Sequence, residues 1–234
     1  MMVEHWDRTT SGVLLAEPLL LRANRAGAFG DGVEYPGGSV RKALFTYLCG
    51  APDAALLRDR PELFREAWLV CMSAEWEELI RALPHEPPMR RVMMRPRCGA
   101  SRKPLAPLPE GYAIREFGPE LFAAHPFGQG ANYRDFDDFS RNGAGAVALC
   151  GGKVVAAASS FLTVGNEIEL DVCTDPAHRR QGLADHCIAR MLRDCAARGL
   201  TVHWDAQNAP SAAMARGHGF VEEQEYAVYV LKQA

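Results

Sequence analysis

The sequence predicts a mixed α/β (α+β) fold in two parts, a smaller N-terminal α/β domain over residues 1–108 and a larger C-terminal domain over residues 109–234. Three observations carry this. Short segments with alternating apolar residues are interleaved with segments whose apolar residues recur every three or four positions, so strands and helices alternate along the chain. One strand pattern leads through a tight turn into a long amphipathic helix pattern, from Glu167 to Arg198. Proline and basic residues crowd Pro84–Pro88 and Pro96–Pro109, which marks a linker between the parts.

In the N-terminal part, Gly27 to Gly38 is glycine-rich but lacks the spacing of a Walker loop, and it reads as a surface loop. Val40 to Cys49 reads as a strand, and Trp68 to Met72 as another. Ser73 is placed to cap a helix from Ala74 to Leu83, with Trp76, Leu79, Ile80 and Leu83 as its apolar face. Met89 to Arg95 reads as a strand inside the linker.

In the C-terminal part, Gly111 to Glu116 reads as a short first strand. Pro119–Ala124 and Tyr133–Arg141 read as short helices, joined by a loop containing Phe127-Gly128-Gln129-Gly130. Ala144–Leu149 and Val154–Phe161 flank Gly151-Gly152, a hairpin signature. Glu167 to Thr174 is a strand with Ile168, Leu170, Val172 and Thr174 on one side. Asp175-Pro176 ends it, because proline lacks an N–H and the residue before it avoids the α region. From Ala184 onward, Cys187, Ile188, Met191, Leu192, Cys195 and Ala196 form a helical stripe, and Gly199 sits where a left-handed cap belongs. Leu200–Asp205 is a further strand, and Pro210–Arg216 a short helix with proline in its first turn. Phe220–Glu223 and Tyr226–Leu231 read as two closing strands around a turn.

Composition narrows the possibilities. The net charge of −3 gives no global basic field, so nothing points to nucleic acid. The seven cysteines show neither a C-x-x-C pair nor disulfide-like spacing. With no signal peptide and no apolar run of membrane-spanning length, the expectation is a cytoplasmic protein with reduced thiols and no membrane contact. The seven histidines form no metal-ligand spacing, so no metal is expected. Nothing in the residues decides between a monomer and a homodimer.

The turn Arg179-Arg180-Gln181-Gly182 has a chemical use. The first N–H groups of a helix lack intrahelical partners and lie at its positive end. Gly182 allows close approach of a ligand, and the two arginines add positive charge. Together these suit a phosphate or pyrophosphate. The same residues also suit an ordinary strand–turn–helix with a basic rim.

Arg179-x-x-Gly182-x-Ala184, placed after a strand and before an amphipathic helix, resembles the acetyl-CoA pyrophosphate loop Q/R-x-x-G-x-G/A of the GNAT superfamily of N-acetyltransferases. Asn208-x-x-Ser211, followed by Ala215 and Gly219-Phe220, is similar to a second stretch of that superfamily. The resemblance covers residues 109–234. It implies a mixed, mostly antiparallel twisted sheet flanked by helices, and acetyl-CoA as co-substrate. It also suggests a degenerate GNAT-like half for residues 1–108, although no phosphate-loop pattern is visible there. By the same resemblance, backbone groups of Cys173 and Thr174 hold the pantetheine arm and polarise the acetyl carbonyl. Arg179, Arg180, Gln181, Gly182, Leu183 and Ala184 surround the pyrophosphate. Asn208 bonds the arm or a nearby backbone group, with Ser211 beside it. Asn208 and Ser211 equally suit local capping and turn chemistry.

Acyl transfer needs an acceptor for the amine proton and donors for the oxyanion. Alternation sends Glu167, Glu169, Asp171 and Cys173 to the face opposite the apolar one. Glu169 and Asp171 are the candidates to accept the proton or attract a cationic amine. A solvated outer face is the other reading of these two. Many GNAT members carry a thiolate-protonating tyrosine where this chain has Ala215. Tyr226 and Tyr229 are the substitutes to consider, with Tyr229 taken as the candidate, although a strand tyrosine also suits packing. Cys173 has no assignable base beside it, so an acyl-cysteine is not expected. The expected reaction is direct acetyl transfer to a primary amine of a small molecule. The rivals are a protein or peptide N-acetyltransferase, with Phe127–Tyr133 as its groove, and a non-catalytic acyl-CoA sensor.

Overall fold

A computed structural model of the protein describes residues 12–14, 33–34, 40–41, 45–49, 52, 54–55, 64, 68–71, 73–97, 103–124, 126–127, 133, 135–164 and 166–232. The chain forms two compact units, one joining Met1–Val92 to Gln224–Ala234 and the other comprising Met93–Glu223. The division differs from the expected one at residue 108 because the linker has backbone partners in the second unit. The Arg97 N–H donates to Gly219 at 3.1 Å and the Lys103 N–H to Gly217 at 2.9 Å.

In the first unit, β1 (Gly12–Leu14) pairs antiparallel with β4 (Phe45–Cys49), and β4 runs parallel to β5 (Trp68–Cys71). β2 (Val33–Glu34) and β3 (Val40–Arg41) form a separate antiparallel pair. The expected strand Val40–Cys49 is thus two strands with different partners. The expected loop Gly27–Gly38 otherwise lies outside the described residues. Helix α1 (Ala74–Arg81) begins as expected, with the Ser73 hydroxyl accepting the Trp76 N–H at 3.3 Å. Trp76 and Ile80 face a core with Leu48, Phe64, Leu69 and Tyr229. β6 (Met89–Pro96) follows the pattern read at Met89–Arg95.

The second unit carries the longer pairings. β7 (Tyr112–Glu116), β8 (Gly145–Cys150), β9 (Lys153–Val164) and β10 (Glu167–Thr174) pair in sequence, each antiparallel to the next. β11 (Thr201–Ala206) lies parallel to β10. Helices α2 (Pro119–Ala124), α3 (Phe136–Asn142), α4 (Leu183–Ala197) and α5 (Ala209–Gly217) flank the strands, so the mixed, mostly antiparallel architecture is the expected one. Gly151 and Gly152 both have positive φ, as a two-residue hairpin turn of this hand requires.

Two cores hold this sheet. Leu183, Cys187, Ile188, Met191, Leu192 and Cys195 of α4 are buried, in the pattern the helical stripe predicts. α4 contacts β8, β9, β10 and β11. Full burial of a leucine, isoleucine or methionine is worth about 1.5–3 kcal/mol, so this face is the main anchor of the helix. Elsewhere Phe117, Phe139, Val147 and Ala157 form a second cluster, with Phe122 and Tyr133 packed against it. α3 starts later than read, at Phe136, because the Asp135 side chain caps it by accepting the Asp138 N–H at 2.8 Å.

The C-terminal expectation needs one correction. Phe220–Tyr229 is a single strand, β12, not two strands around a turn. The polar run Glu222–Glu225 is exposed strand rather than turn, and it contains no glycine, proline or asparagine to reverse the chain.

Candidate functional site

β10 and β11 are neighbours for only part of their length. Their parallel register joins Glu167 to Thr201, Ile168 to Val202 and Glu169 to His203, and ends there. β10 runs on to Thr174 and β11 to Ala206. On its other side β10 stays paired with β9 as far as Thr174. A register shift falls between Glu169 and Leu170, where Phe161 of β9 is the extra residue. A bulge of this kind bends a strand and ends local pairing. The edge of β10 toward β11 therefore opens at its carboxyl end. Ligands of sheets with parallel neighbours collect at such ends.

Glu169 sits at the parting. It is only 3% exposed, and one carboxylate oxygen accepts the Asp205 N–H at 2.8 Å. Burial here is continuous through Ile168, Glu169 and Leu170, so the reading of Glu169 as part of a solvated outer face is incorrect. The cause is the register shift together with the β11 amide that the carboxylate serves. Asp171 and Cys173 are half-buried. Burial pushes the Cys173 thiol above its ordinary range, and the Asp171 charge adds to it. A thiolate there is disfavoured at neutral pH.

The turn after β10 is firmly built. Asp175 caps a short 3-10 turn, Pro176–His178, by accepting the Ala177 N–H at 2.8 Å. The Tyr112 hydroxyl and His178 Nδ1 lie 2.8 Å apart. Arg179 Nε donates to the Thr174 carbonyl at 3.2 Å. Arg180 has φ 66° and Gly182 φ 75°, so two of the four residues of the turn take left-handed backbone. A Cβ at Gly182 would meet nothing within 4 Å, and the space beside it is open. Arg179 and Arg180 are exposed and Gln181 is half-buried. Leu183 is buried, which anchors the first turn of α4 in the core. The first α4 backbone bond is from the His186 N–H to Gly182 at 3.2 Å. The amides of Leu183 and Ala184 precede it and have no intrahelical acceptor.

Asn208 and Ser211 have local work. Asn208 caps α5 by accepting the Ser211 N–H at 2.9 Å. The Ser211 hydroxyl accepts from the Trp204 indole at 3.0 Å. The capping reading of these two residues is thus seen directly. Asn208 is exposed, with its amide NH2 still available as a donor. Ala215 is fully buried and supplies no hydroxyl. Tyr229 belongs to the core of the first unit, where its hydroxyl donates to Glu77 at 2.6 Å. Burial, then Glu77, pushes that phenol up to about 12. The structure thus gives Tyr229 a packing role.

Sequence reasoning missed one cluster beside the turn. Asp185, in the first turn of α4, has its Oδ1 2.8 Å from His218 Nε2 and its Oδ2 2.9 Å from Lys103 Nζ. These three residues are far apart in sequence and match no motif. Among the described residues no group of three His, Cys, Asp or Glu side chains is placed to hold a metal ion. No described helix is long and apolar enough to cross a membrane.

Comparison with known proteins finds likeness along most of the chain. A family model described as GNAT acetyltransferase matches residues 37–229. The uncharacterized N-acetyltransferase YdfB of Bacillus subtilis (strain 168) is 26% identical over 170 residues, which is 69% of this chain and 64% of that protein. That match spans less than two thirds of YdfB. A GCN5-related N-acetyltransferase-like protein from Streptococcus suis 89/1591 aligns with a TM-score of 0.70 at 22% identity, over 96% of this chain and 89% of that one. A GCN5-related N-acetyltransferase from Kribbella flavida aligns with a TM-score of 0.55 at 16% identity, over 81% of each chain. At such identities the two structures speak to the fold alone.

Proposed function

This protein belongs to the GNAT acetyltransferase family, and from that premise we propose that it moves an acetyl group from acetyl-CoA to a primary amine of a small molecule by direct attack. The observation that carries the reading is the parting of β10 from β11, with Glu169 at its apex and the Arg179–Gly182 turn just beyond the end of β10.

Each part of the donor has a group suited to it. The pyrophosphate suits the Leu183 and Ala184 amides, the open space at Gly182 and the charges of Arg179 and Arg180. The pantetheine arm carries amides, and the freed edge of β10 at Cys173 and Thr174 offers backbone groups to pair with them. In this reading an N–H on that edge polarises the acetyl carbonyl and stabilises the oxyanion. The Asn208 amide is a further donor for the arm.

The acceptor arrives as an ammonium ion at neutral pH. Glu169 and Asp171 attract it and accept its proton, directly or through water. The free amine then attacks the thioester carbonyl. The new C–N bond forms, the C–S bond breaks, the CoA thiolate leaves, and the nitrogen gives up its second proton to solvent to leave the neutral amide. With Ala215 in α5, the thiolate takes its proton from solvent rather than from a tyrosine at that position. The acidic residues on β10 favour a compact cationic acceptor over a neutral one.

The test is a panel of primary amines and peptides with acetyl-CoA, read by release of free CoA thiol. The reading expects turnover with one or more small amines and little with peptides. Turnover confined to peptides would overturn the small-molecule assignment. Binding of acetyl-CoA with no transfer to any member would overturn the enzymatic one.

A further inference from the structure

We infer that Lys103 and His218 are positioning residues of the acetyl-CoA site, which neutralise the Asp185 carboxylate in the first turn of α4. The inference rests on the placement of the pyrophosphate at that turn.

A carboxylate in the first turn of a helix is stabilising while the N-terminus is empty, because it faces the positive end of the dipole. Beside a pyrophosphate the same charge is repulsive. Asp185 is the third residue of α4, directly after the two residues whose amides suit the anion. Its two oxygens are held by His218 at 2.8 Å and by Lys103 at 2.9 Å. The carboxyl is held below its ordinary range first by the hydrogen bond from His218, with Lys103 adding to it. Asp185 is therefore ionised, and the Lys103 ammonium and the His218 imidazole face its two oxygens.

Both partners are held in place by their own surroundings. His218 is 4% exposed and closes α5, with its N–H bonded to Met214 and Ala215. Lys103 donates its backbone N–H to Gly217 at 2.9 Å, and its side chain lies against that glycine. A Cβ at Gly217 would stand 3.0 Å from the Lys103 Cδ. His186 Nε2 lies 3.0 Å from the Ala106 carbonyl and fastens the same segment to α4. The proline-rich stretch before β7 is thus strapped to α4 and α5, and it delivers a cation to the one carboxylate in the first turn of α4.

The experiment is calorimetric titration with CoA of the wild type, Lys103→Met, Asp185→Asn and the double variant. Lys103→Met leaves the Asp185 charge less compensated and weakens CoA binding roughly threefold to tenfold. Asp185→Asn alone binds as tightly as the wild type or more tightly. The double variant recovers affinity to within about a factor of two of the wild type, because no charge is left to neutralise. The same rescue by Asp185→Asn is expected for His218→Phe, which keeps a buried ring and loses the hydrogen bond to the carboxylate. A double variant as weak as Lys103→Met overturns the inference, since lysine would then act on the anion itself or only on the fold. An unchanged Lys103→Met overturns it equally. Failure of the wild type to bind CoA overturns the placement of the pyrophosphate instead, and that outcome is distinct because every variant is then silent.

Discussion

The Glu169 carboxylate accepts the backbone N–H of Asp205 at 2.8 Å, across the point where β10 and β11 part. One side chain thereby replaces a missing rung of the ladder and lets two parallel neighbours separate without leaving that amide buried and unpaired. The same placement puts an acidic group at the inner end of the opening in which the acetyl carbonyl is proposed to lie. Structure and proposed chemistry meet in this residue.

Substitutions at Glu169 separate the two roles. Glu169→Gln keeps an oxygen that can accept the Asp205 N–H, so its melting temperature stays near that of the wild type. Loss of the proton acceptor lowers kcat roughly a hundredfold or more. Glu169→Ala also removes the hydrogen bond and costs about 1–3 kcal/mol of stability. Thermal unfolding of both variants beside their kcat values checks this. Equal destabilisation by Gln and Ala would contradict it.

Tyr229 is predicted to matter for stability rather than for chemistry. Its hydroxyl donates to Glu77 at 2.6 Å within a packed core. Tyr229→Phe loses one hydrogen bond, worth about 1 kcal/mol, and keeps its rate of transfer. The pH dependence has a definite sign. The folded phenol is pushed above the ordinary value of 10.0 to about 12, so its contribution is complete below pH 10 and is lost as pH rises toward 12. Cys71, raised from 9.0 to about 12, adds a loss in the same direction that begins lower. Melting curves from pH 9 to 12 should therefore fall less steeply for Tyr229→Phe than for the wild type.

Much of the local structure in both units could be read from the sequence, because short-range patterns decide it. The stripe from Cys187 to Cys195 and the Ser73 cap are local signals, and both elements form where the pattern places them. The Arg179–Gly182 turn is likewise local, and the positive φ at Gly182 fits its glycine. Features set by distant residues could not be read in this way. Alternation sends Glu169 outward, and only the bulge opposite Phe161 and the Asp205 amide explain its burial. The Asp185 cluster joins three separate segments and leaves no periodic trace. Asn208 and Ser211 match a motif, yet the contacts of their side chains in the structure are local. The peptide groove suggested at Phe127–Tyr133 falls largely outside the described residues.

The cysteines of α4 are predicted to be inert in the native protein. Burial pushes Cys187 up to about 12 and Cys195 up to about 11, so neither forms an appreciable thiolate near neutral pH. A thiol reagent at pH 7.5, roughly one unit below the ordinary cysteine value, should modify both only after unfolding. Mass mapping of labelled peptides checks this, and rapid native labelling of either cysteine would contradict the packing of α4 on the sheet.

The central claim is that the Arg179–Gly182 turn binds the pyrophosphate of acetyl-CoA. Its most direct test is calorimetric titration of the wild type and of Gly182→Glu with acetyl-CoA, each shown to be folded by circular dichroism. A glutamate there places charge and bulk in the open space beside the turn, and the left-handed backbone adds about 1–2 kcal/mol of local strain. The account predicts saturable binding by the wild type and a loss of at least a hundredfold in the variant. Equal binding by both folded proteins, or none by the wild type, would contradict it.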